Sequence, residues 1–230
     1  MPALTSTRCN TKLFRGGSVA KKNKILPLFP LPDVVLFPGS PLPLHIFEPR
    51  YRQMINTIME GDKTFGVLLY EPEHSHARVI GSSAVVTEME RLPDGRMNLM
   101  AEGQRRFRVV RTIEDLPYLQ GEVEWLDDKP SGKKQTEVEQ VQEEVMTYIK
   151  DILRLSSKIN NKLVELPEDL PTDPMRLSFW VAGTMYSVPK DQQALLELQD
   201  TYGRLVHEAK VLAVTTKFLA ARSALKDALG

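Results

Sequence analysis

The residues whose chemistry could be used here are four histidines, one cysteine and a few serines. His74 and His76 in "EPEHSHAR" can put two imidazoles on one side of an extended segment, with Glu71 or Glu73 as a third ligand. No further His or Cys cluster supports that set, so no metal site is expected. His45, within "PLPLHIF", is expected to pack against a sheet, and His207 is the fourth histidine. The candidate nucleophiles are Cys9, Ser40, Ser82, Ser83 and Ser187. None of the serines sits in a Gly-x-Ser-x-Gly elbow, and no local signature marks a Ser–Lys dyad. The acidic pairs Asp127–Asp128 and Glu143–Glu144 read as a solvated linker and a solvated helix face. "SGKKQT" (131–136) lacks the first glycine of a phosphate-binding loop and the hydroxyl after its lysine, and there is no Gly-x-Gly-x-x-Gly. The expectation is a protein that is not an enzyme, with no catalytic residues, cofactor or metal.

Two basic stretches remain, "RYR" (50–52) and "RRFRVVR" (105–111). A basic strand with an aromatic in it could hold single-stranded RNA by stacking and charge. Alternation argues against it: Phe107 and Val109 fall on one face, Arg106 and Arg108 on the other. Phe107 is then expected in a core, with the arginines pairing to acids on a neighbouring strand.

The elements that must position these residues change period partway along the chain. From Ile25 to about Asp128 the runs are short and strand-like: "VVLF" (34–37), "FGVLLY" (65–70), "AVVTEMERL" (84–92), "RMNLMAEG" (96–103), "RFRVV" (106–110) and "LQGEVEWL" (119–126). Pro93-Asp94-Gly95 marks a hairpin turn. Pro49 starts a helix whose Tyr51, Met54, Ile55 and Ile58 share one face. The dense prolines from Pro27 to Pro49 are expected to keep edge strands from pairing onward. After the polar linker "DDKPSGKKQ" the period turns helical. Val138, Val141, Val145, Tyr148, Ile152 and Leu155 form one stripe, and "PMRLSFWVAGTMYSV" (174–188) a second segment. A long final helix is expected to run through Leu195, Leu198, Tyr202, Leu205, Ala209, Leu212, Thr216 and Leu219. Three such stripes imply a bundle.

Composition bounds the rest. The 230 residues carry 30 basic and 30 acidic side chains, and six of the basic ones lie in the acid-free residues 1–24. The remainder therefore has a net charge of −6, which makes nucleic acid an unfavourable partner. A single cysteine excludes an internal disulfide and fits a reducing compartment. No window approaches the roughly 18–20 apolar residues of a membrane span. Residues 1–24 read as a basic flexible leader, giving a cytoplasmic location, or the chloroplast stroma if they are a targeting segment.

"LPLFPLPDVVLFPGSPLPLHIFEPRYRQMI" resembles the start of the Lon protease N-terminal domain, also called the LON substrate-binding domain. The likeness continues through "FGVLLY", through "EGQRRFRVV" as the family's Gly-x-x-Arg-Phe strand, and into "VPKDQQALLELQDTYGRL". "EWLDDKP", "ELPEDLP" and "SFWVA" are similar to the stand-alone versions of cyanobacteria and plant plastids.

The resemblance implies an α+β fold: a β-rich, PUA-like pseudo-barrel lobe over residues 25–130, then an α-helical bundle lobe over residues 131–230. It implies partners that are unfolded or degron-bearing polypeptides, with an ATP-dependent protease or a larger complex behind them. The role expected is a non-catalytic proteostasis adaptor or accessory factor without ATPase and protease modules. Alternatives are an assembly scaffold for a larger, photosynthetic complex and an RNA-binding PUA-like module. The family-motif positions Pro38, Phe47, Glu48, Pro49, Arg50, Tyr51, Gly103, Arg106 and Phe107 are expected to be mainly structural, with Glu48 or a nearby acid meeting Arg106 inside the β lobe.

Overall fold

The computed structural model describes residues 23–113, 117–168, 170–185 and 188–229. Cys9, the leader up to residue 22 and Ser187 lie outside the described residues.

Strand β1 (Lys24–Pro32) contains Pro27, Pro30 and Pro32 and still pairs with two neighbours. Its first half runs antiparallel to β7 (Gln120–Trp125), and its second half runs parallel to β3 (Thr64–Glu71). Each half therefore needs ladder groups on one side only. The Leu28 amide donates to the Leu119 carbonyl at 2.8 Å, on the β7 side. Alternation puts the nitrogens of Pro30 and Pro32 on that same side, away from β3, so their missing N–H groups leave the parallel ladder intact. β1 is thus not the edge strand that its prolines suggest.

Between β3 and β7 run β4 (His76–Ala77), β5 (Ile80–Arg91) and β6 (Met97–Ile113). The pairings β7–β6–β5–β3 are antiparallel, and β1 joins β7 to β3, so the ring closes. The two runs read separately as 96–103 and 106–110 form one continuous strand of 17 residues. The β5–β6 hairpin turns at Gly95, whose φ of 82° needs glycine, and the Leu92 amide closes the turn on the Arg96 carbonyl.

Strand β2 (Pro41–Ile46) lies off the ring on β6 and is an edge. The Ser40 carbonyl accepts from the Gly103 amide, so the nitrogens of Pro41 and Pro43 face outward. That rim has no N–H to offer another strand at either position. Val34–Phe37, expected as a strand, is irregular. Asp33 at φ 58° and Gly39 at φ 80° turn the chain at its two ends. Val35 and Phe37 leave the barrel to pack against the helices.

Helix α1 (Pro49–Met59) caps the barrel. Its predicted face, Tyr51, Met54, Ile55 and Ile58, is buried with Phe29, Phe65, Val67, Val86 and Leu99. The helical lobe contains α2 (Gln135–Asn160), α3 (Pro174–Met185), α4 (Pro189–Glu197) and α5 (Thr201–Leu229). Helices α2 and α5 run side by side in the same direction. Lys133, at the start of α2, sits over the Tyr202 ring, and Lys158 near its end pairs with Asp227. Their shared core is Val145, Ile149, Ile152, Leu205, Ala209 and Leu212, with Leu177 and Val181 of α3.

The single long C-terminal helix that periodicity predicts is broken. Leu198 is extended (φ −64°, ψ 126°), and Asp200 restarts the helix through its carbonyl to Arg204 N–H and its carboxylate to Tyr202 N–H. A third core, Phe37, Ile80, Leu126, Phe179, Ala182, Leu195 and Leu196, joins barrel to helices.

Candidate functional site

The break between α4 and α5 frees backbone carbonyls, and two arginines take them. Arg106 on β6 donates from Nη1 to the carbonyls of Leu196 (2.7 Å) and Leu198 (2.6 Å). Arg204 on α5 donates to the Leu198 carbonyl at 2.8 Å. Both guanidiniums meet the Asp128 carboxylate, Arg106 through Nη2 and Arg204 through Nη2 at 2.6 Å. Both also lie over the Phe179 ring, at 5.0 and 4.2 Å. The side chains of Arg106 and Arg204 are 2% and 0% exposed, so this is a buried ion triad rather than a surface network. Burial alone would push the Asp128 carboxyl up. The hydrogen bonds and charge of Arg204, the Thr201 hydroxyl and the charge of Arg106 outweigh it and hold the carboxyl below its usual range. Burial also draws Arg106 below its ordinary value despite the charge of Asp128.

This triad corrects two expectations. The acid that meets Arg106 is Asp128 at the barrel exit, while Glu48 bonds Arg50 at 2.8 Å on the surface. Asp128 is therefore not solvated linker. Arg106 is as buried as Phe107 because both faces of β6 are covered there. Phe107 points into the barrel with Leu26, Leu28, Leu68 and Val123, and Arg106 points under the helices.

Beside the triad, barrel and helices leave a crease of about 380 Å³. One wall is Pro38, Gly39 and Ser40 with Glu102, Gly103 and Gln104 of β6; the other is Pro171 and α3's Met175, Arg176, Phe179 and Trp180. The loop hugs β6 because position 103 is glycine: a Cβ there would lie 2.1 Å from the Phe37 carbonyl oxygen. The Gly39 amide then donates to the Gly103 carbonyl at 2.8 Å, and the Gly103 amide donates to the Ser40 carbonyl at 2.9 Å. Proline 174 opens α3, and the Asp173 carboxylate accepts from the Arg176 amide. That presents Met175 and Arg176 outward, with Met175 41% exposed. Among the described residues the side chains of Arg176 and Glu102 form no ion pair. The crease thus combines apolar and aromatic walls with one cation and one anion, suited to an extended apolar segment with polar neighbours.

The motif positions scatter. Pro38 and Gly103 line the crease and Arg106 lies beneath it. Phe107 and Tyr51 are core, Tyr51 with its ring centroid 4.2 Å from that of Phe29. Pro49 is the first residue of α1, and Arg50 covers the Tyr51 ring. Phe47 is 61% exposed at the other side of the barrel, beside His45. His45 is itself exposed on the edge strand, bonding Asn98, rather than packed in the sheet. Sequence reasoning missed Met175, Arg176, Trp180 and Arg204, although "SFWVA" already held the aromatic pair.

The remaining candidates do not assemble. His74 and His76 are exposed with ring centroids 5.6 Å apart, and His76 reaches Glu71 at 3.6 Å. Among the described residues no group of three or more His, Cys, Asp or Glu could hold a metal. Ser83 donates to the Arg105 carbonyl, and Ser82 is buried without a partner. The basic strand is neutralised by acids, Arg105 with Asp127, Arg108 with Glu124 and Arg111 with Glu122. Phe107 is buried, so its ring is not available for stacking on a base. Among the described residues no helix is long and apolar enough to cross a membrane.

Residues 25–214 match the family model of the ATP-dependent protease La (LON) substrate-binding domain. A Lon protease of Koribacter versatilis is 33% identical over 202 residues, covering 83% of this chain and 24% of that protein. A Lon protease of Cytophaga hutchinsonii is 26% identical over 186 residues, covering 78% of this chain and 23% of that protein. The chain thus spans about a quarter of the length of the curated relatives it matches. Two solved structures share the fold. A Lon N-terminal domain protein from Xanthomonas campestris has a TM-score of 0.56 at 23% identity, covering 80% of this chain and 96% of that one. The N-terminal domain of a Mycobacterium avium complex Lon protease has a TM-score of 0.59 at 19% identity, covering 84% and 98%.

Proposed function

The chain belongs to the family of the ATP-dependent protease La (LON) substrate-binding domain, and from that premise we propose that it recognises polypeptide clients without transforming them. The bound segment is extended, apolar and drawn from unfolded or degron-bearing chains, and the protein acts as an adaptor or accessory factor for an ATP-dependent protease. The observation that carries this reading is the crease itself. Met175 and Trp180 stand opposite Pro38 and Gly103, in the gap between barrel and helices. Apolar contacts of that kind give affinity with little sequence selectivity, as a client-recognition module requires.

The test is fluorescence anisotropy of a labelled, permanently unfolded polypeptide titrated with the full chain at physiological salt. Saturable binding, competed by unlabelled unfolded chain and weakened about ten-fold by Met175→Asp with Trp180→Ala, is the expected result. Undiminished binding by that double variant would overturn the crease. No binding by the folded wild-type chain would overturn client recognition.

A further inference from the structure

Helix α5 is packed on one face only. Leu205, Ala209 and Leu212 are buried against α2 and α3, yet the opposite side is not polar. Val211, Val214, Phe218 and Leu225 are 38%, 68%, 64% and 63% exposed, and exposed Ala221 fills the remaining step. Positions 211, 214, 218, 221 and 225 alternate steps of three and four. That is the a/d spacing of a coiled-coil seam. At 100° per residue the stripe is roughly 80° wide, and it runs about 21 Å along the helix.

The seam has charged borders of one sign. Lys210 and Lys217 lie along one side and Arg222 along the other. Among the described residues none of the three has an ion-pair partner. On α5 the only acids are Glu208, which is buried, and Asp227, which is held by Lys158.

We propose that this seam docks an amphipathic helix of a partner protein whose own apolar stripe is bordered by Asp and Glu. The charges select this occupant. A second copy of the chain, parallel or antiparallel, would bring lysines and arginine against lysines and arginine across the seam. The chain's own residues 1–22 carry five basic residues and no acid, so they complement it no better. A lipid surface calls for a broad apolar face, whereas this stripe is narrow and β-branched at two of its five positions. The seam is distinct from the crease, and its fate is independent of the client-binding reading.

The test uses the full chain and a labelled three-heptad peptide with Leu at a and d and Glu at e and g, which repels itself and stays unpaired. Anisotropy should show saturable binding that weakens with salt. It should fall about ten-fold for Phe218→Asp, an exposed change that leaves the core untouched. Lys217→Glu with Arg222→Glu should lose the Glu peptide and gain a matched Lys peptide. Equal binding of Glu and Lys peptides by the wild-type chain, or no binding of either, overturns the proposal. So does a sedimenting dimer that Phe218→Asp dissociates, which assigns the seam to a second copy. Binding to anionic phosphatidylserine vesicles that Phe218→Asp abolishes and the Glu peptide fails to compete assigns it to a membrane surface.

Discussion

Arg204, fully buried on α5, places its Nη2 2.6 Å from the Asp128 carboxylate on the segment that leaves the barrel. The two residues are 76 positions apart in the chain, and their bond ties α5 to the segment that leaves the barrel. Removing the acid leaves two guanidiniums buried without an anion. Asp128→Asn should therefore destabilise by about 3–5 kcal/mol, read from the midpoint of urea unfolding. Replacement by a residue that cannot bond either arginine should not do less. A change under about 1 kcal/mol would mean that the carbonyls of Leu196 and Leu198 suffice to hold the pair.

The same carboxyl sets an acid limit. Its folded-state value lies below the unfolded one, so the folded state binds the proton less readily. Its contribution is fully present above about pH 4 and is lost as pH falls through the lower, folded value. Unfolding on acidification should begin below the ordinary carboxylate range, and Asp128→Asn should remove that part of the slope.

Glu208, one turn along α5 from Arg204, acts in the opposite direction. Both carboxyl oxygens are buried with no hydrogen-bond partner, and burial raises the group to about 9 against the opposing charge of Arg204. The folded chain keeps a proton that the unfolded chain releases above about pH 4.5. Stability due to this group is therefore greatest in acid and declines as pH rises from about 4.5 to about 9. Glu208→Gln should flatten that decline and raise stability at neutral pH by roughly 3 kcal/mol. Urea midpoints at pH 6 and pH 8 that differ as much in the variant as in the wild type would contradict it.

How far the sequence reveals this molecule depends on how local the cause is. The α1 face, the Pro93–Gly95 hairpin and the switch to helical period after Asp128 all follow from spacings of a few residues. The misreadings each involve a distant partner. Val34–Phe37 has strand composition, but Phe37 is wanted by Phe179, 142 positions on. Leu198 keeps the helical stripe, yet its carbonyl is claimed by Arg106 across the interface, and the helix breaks there. Asp128 looks solvated until Arg106 and Arg204 close over it. The lining of the crease was not legible: Pro38 and Gly103 read as structural motif positions, and the facing wall comes from α3, more than 65 residues further along the chain.

The motif around α1 separates fold from ornament. Arg50 and Glu48 are half exposed, with side chains 53% and 40% accessible, and pair at 2.8 Å in water. Arg50→Ala should cost at most about 1 kcal/mol. Its neighbour Tyr51 is buried against Phe29, and Tyr51→Ala should cost about 3–5 kcal/mol. Thermal unfolding of the two variants side by side gives the comparison. Equal losses would mean that Arg50 acts through its stacking on Tyr51 rather than through its charge.

Gly103 couples stability to the crease. A methyl there would sit 2.1 Å from the Phe37 carbonyl oxygen and 3.1 Å from the Leu36 side chain, both belonging to the loop that forms one wall. That oxygen is backbone and cannot rotate away, so the loop must lift off β6 and strain the exchanged bonds of Gly39 and Ser40. Gly103→Ala should lower stability by about 1–3 kcal/mol and displace Pro38 from its place opposite Trp180. Client binding should then fall even at temperatures where the variant is fully folded, whereas Ser82→Ala, buried outside the crease wall, should leave it unchanged. If Gly103→Ala lost stability but bound unfolded polypeptide with wild-type affinity, the barrel-side wall would not be part of the recognition surface, and the helical wall of Met175 and Trp180 would carry it alone.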